Sequence, residues 1–172
     1  MGKLTVKQRK WLLSLHLLFA AILFGVTVAF LILTLTAANT RDPEVLQACY
    51  TSMHILAKTS VRASTIGTVV TGILLSVLTR WGLFRFYWII AKEVLTLFSI
   101  GLGVVGMVVW TLQGITMTTA TDFHASNPAF IVNQQQLLVG IILQIIFLIA
   151  MFLLSVFKPC GKRKRSIKTT TA

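Results

Sequence analysis

The chain has 172 residues, of which 56% are hydrophobic and 12% are charged, and its formal net charge is +12. The high apolar content excludes a disordered chain, and two cysteines are too few for a small disulfide-stapled domain. A nucleic-acid-binding domain of this charge should spread lysine and arginine over a folded surface, which this apolar fraction does not allow. The composition therefore indicates an integral membrane protein.

Four apolar runs are long enough to cross a bilayer, whose hydrocarbon core of about 30 Å needs roughly 20 helical residues. The predicted spans cover residues 11–37, 57–79, 86–112 and 131–157. The first run is longer than the apolar region of a secretory signal peptide, so we expect it to be retained. The sequence thus predicts an all-α membrane protein with a four-transmembrane-helix bundle over residues 11–157.

Basic residues predict the orientation of the spans. Twelve lysines and arginines lie in the tails 1–10 and 158–172 and in the loop 80–85, whereas acids outnumber basic residues in the two opposite loops. The positive-inside rule then places both termini in the cytoplasm. The basic tails should contact anionic lipid headgroups. We expect no specific nucleic-acid partner, because such contact would be an incidental property of the charge.

Local signals predict that two helices begin outside the membrane. Asp42, Pro43 and Glu44 have the order of an N-cap, a proline at the first helical position and an acid in the first turn. Asn127 and Pro128 repeat the first two parts of this pattern. We therefore expect the second helix to start near Pro43 and the fourth near Pro128.

Ionisable side chains inside spans are costly and usually face the bundle interior, so they are functional candidates. His16 lies about 8 Å inside the cytoplasmic boundary at 1.5 Å per residue, and Lys92 lies at a similar depth next to Glu93. One face of the third helix gathers polar and small side chains: Trp88, Lys92, Thr96, Ser99 and Gly103. One interpretation is a functional site, in which His16 is a ligand or proton carrier and Lys92 holds an anionic group. The other is structural: His16 forms a hydrogen bond to a neighbouring helix, and Lys92 extends to the headgroups.

A second group, His54, Lys58 and Arg62, follows one stripe of the second helix near the outer boundary. One interpretation is a basic lining for an anionic ligand, such as a haem propionate or a lipid phosphate. The other is a stripe that meets solvent and headgroups without specificity.

A third group lies in the second outer loop, where Asp122 and His124 are two residues apart. Together with His54 on the same side of the membrane, they could ligate copper or zinc. The alternative is a solvated loop with no metal.

Small residues mark two further surfaces. The segment from Gly101 to Gly106 has the letters of a dinucleotide-binding fingerprint but lies inside a span, so it predicts a packing surface. Ser64, Thr68, Gly72 and Ser76 form a ridge that should let another helix approach closely.

Several segments resemble a group of small bacterial membrane proteins: Trp11-Leu12-Leu13-Ser14-Leu15-His16-Leu17-Leu18-Phe19 with Gly25, Thr71-Gly72-Ile73-Leu74-Leu75, Trp81-Gly82-Leu83, and Trp88 with Lys92. The group includes the HemJ-like protoporphyrinogen oxidases, the CopD-like copper-resistance proteins and uncharacterised relatives. The resemblance covers residues 11–110. Because the third helix has no histidine and the methionines do not cluster, the chain resembles the uncharacterised relatives best.

The resemblance implies a site and a location. In HemJ-like proteins, a histidine of the first helix and a lysine of the third are functional and haem b is bound; the matching positions are His16 and Lys92. CopD-like proteins imply copper. The implied location is the bacterial cell membrane.

Two function hypotheses follow. In the first, the bundle binds haem or a metal ion in a redox or metal-handling role, with His16 as the leading ligand, Lys92 as its electrostatic partner, and His54 with Arg62 as an outer site. In the second, the chain is a non-catalytic membrane subunit, regulator or small transporter component. Its polar residues then serve contacts between helices, in a homo-oligomer or with another membrane protein. The sequence shows no nucleophile–base–acid arrangement, so enzymatic activity stays open.

Overall fold

The computed structural model describes residues 4–79, 86–120 and 123–159. Within these residues, four helices are long and apolar enough to cross a membrane. They are α1 (Val6–Asn39), α2 (Pro43–Leu78), α3 (Tyr87–Thr118) and α4 (Pro128–Phe157). The number and length of these apolar helices confirm the prediction of a helical, multi-pass membrane protein. The predictions for residues 80–85 and for most of the C-terminal tail lie outside the described residues.

The helices begin at the residues that the capping signals predict. The Asp42 carboxylate accepts a hydrogen bond from the Glu44 amide at 2.9 Å. Asn127 accepts from the Ala129 amide at the same distance. Both helices therefore start at their prolines and extend beyond the predicted spans, because the cap satisfies backbone amides that would otherwise need water.

Two of the helices contain a π-helical segment. In α2 it covers Ala57–Val61 and in α3 it covers Gly101–Gly106. The two segments pack against each other, and a Cβ added at Gly103 would lie 3.6 Å from Val61 Cγ1 and 3.4 Å from Gln144 Nε2. The predicted packing surface on α3 is therefore confirmed at Gly103, whereas a Cβ at Gly101 would meet no atom within 4 Å.

Successive helices run in opposite directions, which gives the bundle two ends. We call the end where α1 begins and α4 ends the tail end, and the opposite end the loop end. Many of the most buried apolar side chains lie in the loop half: Phe30, Tyr50, Met53, Met107 and Phe130. The two halves therefore differ, with a dense apolar core in the loop half and the His16 and Lys92 side chains in the tail half.

Candidate functional site

His16 on α1 is hydrogen-bonded to α2. Its Nδ1 lies 2.9 Å from the Thr71 hydroxyl oxygen, and that hydroxyl donates to the Gly67 carbonyl oxygen at 2.6 Å. Gly72 also faces the imidazole, since a Cβ there would lie 3.4 Å from His16 Cε1. The helices approach closely one turn away, where a Cβ at Gly67 would come within 2.6 Å of the Phe19 ring.

This geometry favours one tautomer of neutral His16. A threonine hydroxyl has one hydrogen, and the Gly67 carbonyl oxygen is nearer to the Thr71 oxygen than His16 Nδ1 is. With the Thr71 hydrogen on that carbonyl, Nδ1 donates to the Thr71 oxygen and Nε2 carries the lone pair, which is the state in which a histidine binds a metal.

Lys92 lies in the same half of the bundle and is partly buried. Its amino group donates to the Ser155 hydroxyl on α4 at 2.6 Å. One turn further along α3, the Thr96 hydroxyl donates to the Lys92 carbonyl oxygen at 2.7 Å and lies 3.3 Å from Met151 Sδ. The predicted polar face of α3 therefore points into the bundle, and the Lys92 side chain is hydrogen-bonded to α4 two residues before that helix ends. Whether the amino group also meets the headgroups stays a prediction.

Gln144 forms the central polar contact between α3 and α4. It is 1% exposed and donates from Nε2 to the Ser99 hydroxyl at 2.7 Å. Its Oε1 atom is buried without a hydrogen-bond partner, as is Glu93 Oε1. Ser99 belongs to the predicted polar face, but nothing in the sequence indicates that it pairs with Gln144.

His54 repeats the His16 arrangement in the loop half. Its Nδ1 lies 3.0 Å from the Thr111 hydroxyl on α3, which donates to the Met107 carbonyl oxygen at 2.6 Å. By the same argument, Nδ1 of neutral His54 carries the proton and Nε2 is free. The sequence analysis predicted neither threonine partner, because each lies among other threonines of its helix and nothing in the sequence distinguishes it.

The other candidate residues of the loop half are not gathered around His54. Lys58 and Arg62 are exposed on the bundle surface, although the Lys58 charge acts on His54. His124 is exposed in the loop, and Asp122 lies outside the described residues. Within residues 4–79, 86–120 and 123–159, no group of three or more His, Cys, Asp or Glu side chains could hold a metal ion. The outer metal site and the role of Arg62 stay predictions.

In the loop half, a polar contact that the sequence did not predict joins α4 to α3. Asn133 on α4 donates to the Trp110 carbonyl oxygen at 3.1 Å, and within the described part of the chain the Tyr50 hydroxyl and Asn133 Oδ1 are buried without a hydrogen-bond partner. Tyr50 is fully buried, and a Cβ at Gly114 would overlap its ring. The Tyr50 side chain therefore belongs to the core.

The chain matches no family model, no curated protein and no solved structure. The resemblance to HemJ-like and CopD-like proteins therefore stays a prediction.

Proposed function

We propose that this chain is a multi-pass protein of the bacterial cell membrane, with both termini in the cytoplasm, that binds haem b or a copper ion at His16. The observation that carries the proposal is the hydrogen-bond relay from His16 Nδ1 through Thr71 to the Gly67 carbonyl. Metal-binding histidines typically donate their second ring N–H to an oxygen, which sets the tautomer and the ring orientation. In this protein the Thr71 hydroxyl provides that oxygen for His16 Nδ1.

The surrounding residues suit haem better than a copper ion, because haem can take a single protein ligand and carries negatively charged propionates. His16 offers Nε2, and Gly72 places no side chain against the adjacent Cε1 edge of the ring. Lys92, held by Ser155, supplies a positive charge in the same half. His54 and His124 belong to the loop half and offer no second ligand here. When bound, haem or copper would supply one-electron redox chemistry, while these residues bind and orient it.

The test is the visible spectrum and metal content of the purified protein after expression with haem and copper supplied. We expect a Soret band or bound copper that His16→Ala removes and His124→Ala, in the exposed loop, retains. Thr71→Val should weaken binding by roughly 10- to 100-fold, because it removes the oxygen that orients the ligand. A colourless and metal-free wild type, or a ligand that persists in folded His16→Ala, would contradict the proposal.

A second candidate is a non-catalytic membrane subunit, regulator or small transporter component, alone, as a homo-oligomer or with another membrane protein. The observation in its favour is that His16, Lys92 and Gln144 each hydrogen-bond to a neighbouring helix. Such bonds join helices in membranes, where each contributes about 0.6 kcal/mol. On this hypothesis, His16→Ala lowers the free energy of unfolding, and neither wild type nor variant carries a chromophore or a metal.

A further inference from the structure

Lys58 and Arg62 are two cations on the outward face of α2. Both are exposed, and neither side chain has a hydrogen bond or ion pair with any residue in the described part of the chain. Long basic side chains at a membrane boundary normally extend to an anionic partner. An unpaired cation pair on the bundle surface therefore points to a partner outside the chain.

The apolar residues that follow on the same face show what surrounds this pair. Ile66 is 58% exposed, Val70 50% and Ile73 48%, and they continue the stripe of Lys58 and Arg62 towards the tail end. In a helix that crosses a bilayer, such an exposed apolar row contacts acyl chains. The cation pair thus stands at the end of a lipid-facing row, away from the bundle interior.

The position along α2 indicates the depth. Arg62 is 16 residues before Leu78, or about 24 Å at 1.5 Å per residue, in a hydrocarbon layer of about 30 Å. Arg62 therefore lies within a side-chain length of the boundary at the loop end, and Lys58 lies one turn beyond it. At this depth the available anions are lipid phosphates.

We propose that Lys58 and Arg62 bind the headgroup phosphate of an anionic phospholipid, in the leaflet at the loop end, with the acyl chains lying along Ile66, Val70 and Ile73. Lysine and arginine both form charge-assisted hydrogen bonds to phosphate oxygens. Spacing of four residues places the two side chains on one side of a single headgroup. The site is independent of any ligand at His16.

The test compares lipid binding to the delipidated full-length protein in detergent, by native mass spectrometry and by the shift of the unfolding temperature. The probes are phosphatidylglycerol, phosphatidylcholine and inorganic phosphate. We expect phosphatidylglycerol to bind and stabilise most. The double variant Lys58→Gln/Arg62→Gln should weaken its binding by roughly 30-fold, which is about 2 kcal/mol at 1.4 kcal/mol per tenfold change.

Two control variants separate the site from net charge and from misfolding. Arg41→Gln removes an exposed charge that lies outside the pair and outside the basic tails, and it should leave binding unchanged. Lys58→Arg/Arg62→Lys keeps both charges and should retain it. An equal loss in the Arg41 control, unchanged binding in the Gln pair, or equal stabilisation by inorganic phosphate would overturn the proposal.

Discussion

His16 and His54 show how a single hydroxyl determines the chemistry of an imidazole. Each Nδ1 donates to a threonine whose own hydrogen is used by a backbone carbonyl of the preceding turn. Each neutral ring therefore keeps its Nε2 lone pair, and each bond joins two helices. The two relays lie in opposite halves of the bundle, since Thr71 and His54 are 17 residues apart on α2.

We predict that the nitrogen NMR spectrum of histidine-labelled protein, at a pH where imidazole is neutral, shows Nδ1–H and unprotonated Nε2 for both His16 and His54. Thr71→Val should change only the His16 signals and lower the free energy of unfolding by roughly 0.6–1 kcal/mol. Thr111→Val should change only those of His54. His124, exposed in its loop, provides the reference for a free ring. An Nε2-protonated His16 in the wild type would show that the relay is wrong.

At the scale of the helices, close contacts form where an aromatic ring meets a glycine. Phe19 of α1 covers Gly67 of α2, Tyr50 of α2 covers Gly114 of α3, and Trp110 of α3 covers Gly140 of α4. In lipid, helices associate through such close packing and through polar contacts, because burial of apolar surface alone provides no driving force. The predicted ridge includes Gly72, which faces His16, but the glycine of α2 that an aromatic ring covers is Gly67, which the ridge omits.

We predict that Gly114→Ala lowers the free energy of unfolding in detergent micelles by about 1–3 kcal/mol, because the added methyl group overlaps the Tyr50 ring. The matched control is Gly25→Ala, where a Cβ meets no atom within 4 Å. Alanine there should leave stability unchanged or raise it by up to about 1 kcal/mol, as helix propensity favours it. Combining Gly114→Ala with Tyr50→Leu should recover part of the loss. Equal effects of the two alanines would contradict this account of the packing.

At the scale of the whole molecule, the basic residues are concentrated in a few segments of the sequence. Twelve of the sixteen lysines and arginines lie in the tails and in the loop 80–85, and the remaining four equal the number of acids. The net charge of +12 is therefore a signal of membrane orientation.

The orientation predicts the accessibility of cysteines. In a Cys49→Ser background, Ser126→Cys in the loop 123–127 should react with a membrane-impermeant maleimide in intact cells. The native Cys160 in the C-terminal tail should react only after the membrane is opened, and it is the control in the same molecule. Labelling of Cys160 in intact cells would show that the orientation is reversed.

The sequence by itself determined the number of helices, two of their starts and the presence of His16 and Lys92 in the same half, because length, apolar runs and caps are local properties of the chain. Only the tertiary structure decided that His16 bonds Thr71, that Lys92 bonds Ser155 and that Tyr50 is buried. These contacts depend on the rotation of each helix about its axis and on the neighbour it faces. Two π-helical segments change that rotation partway along α2 and α3, and a regular 3.6-residue pattern contains no signal for them.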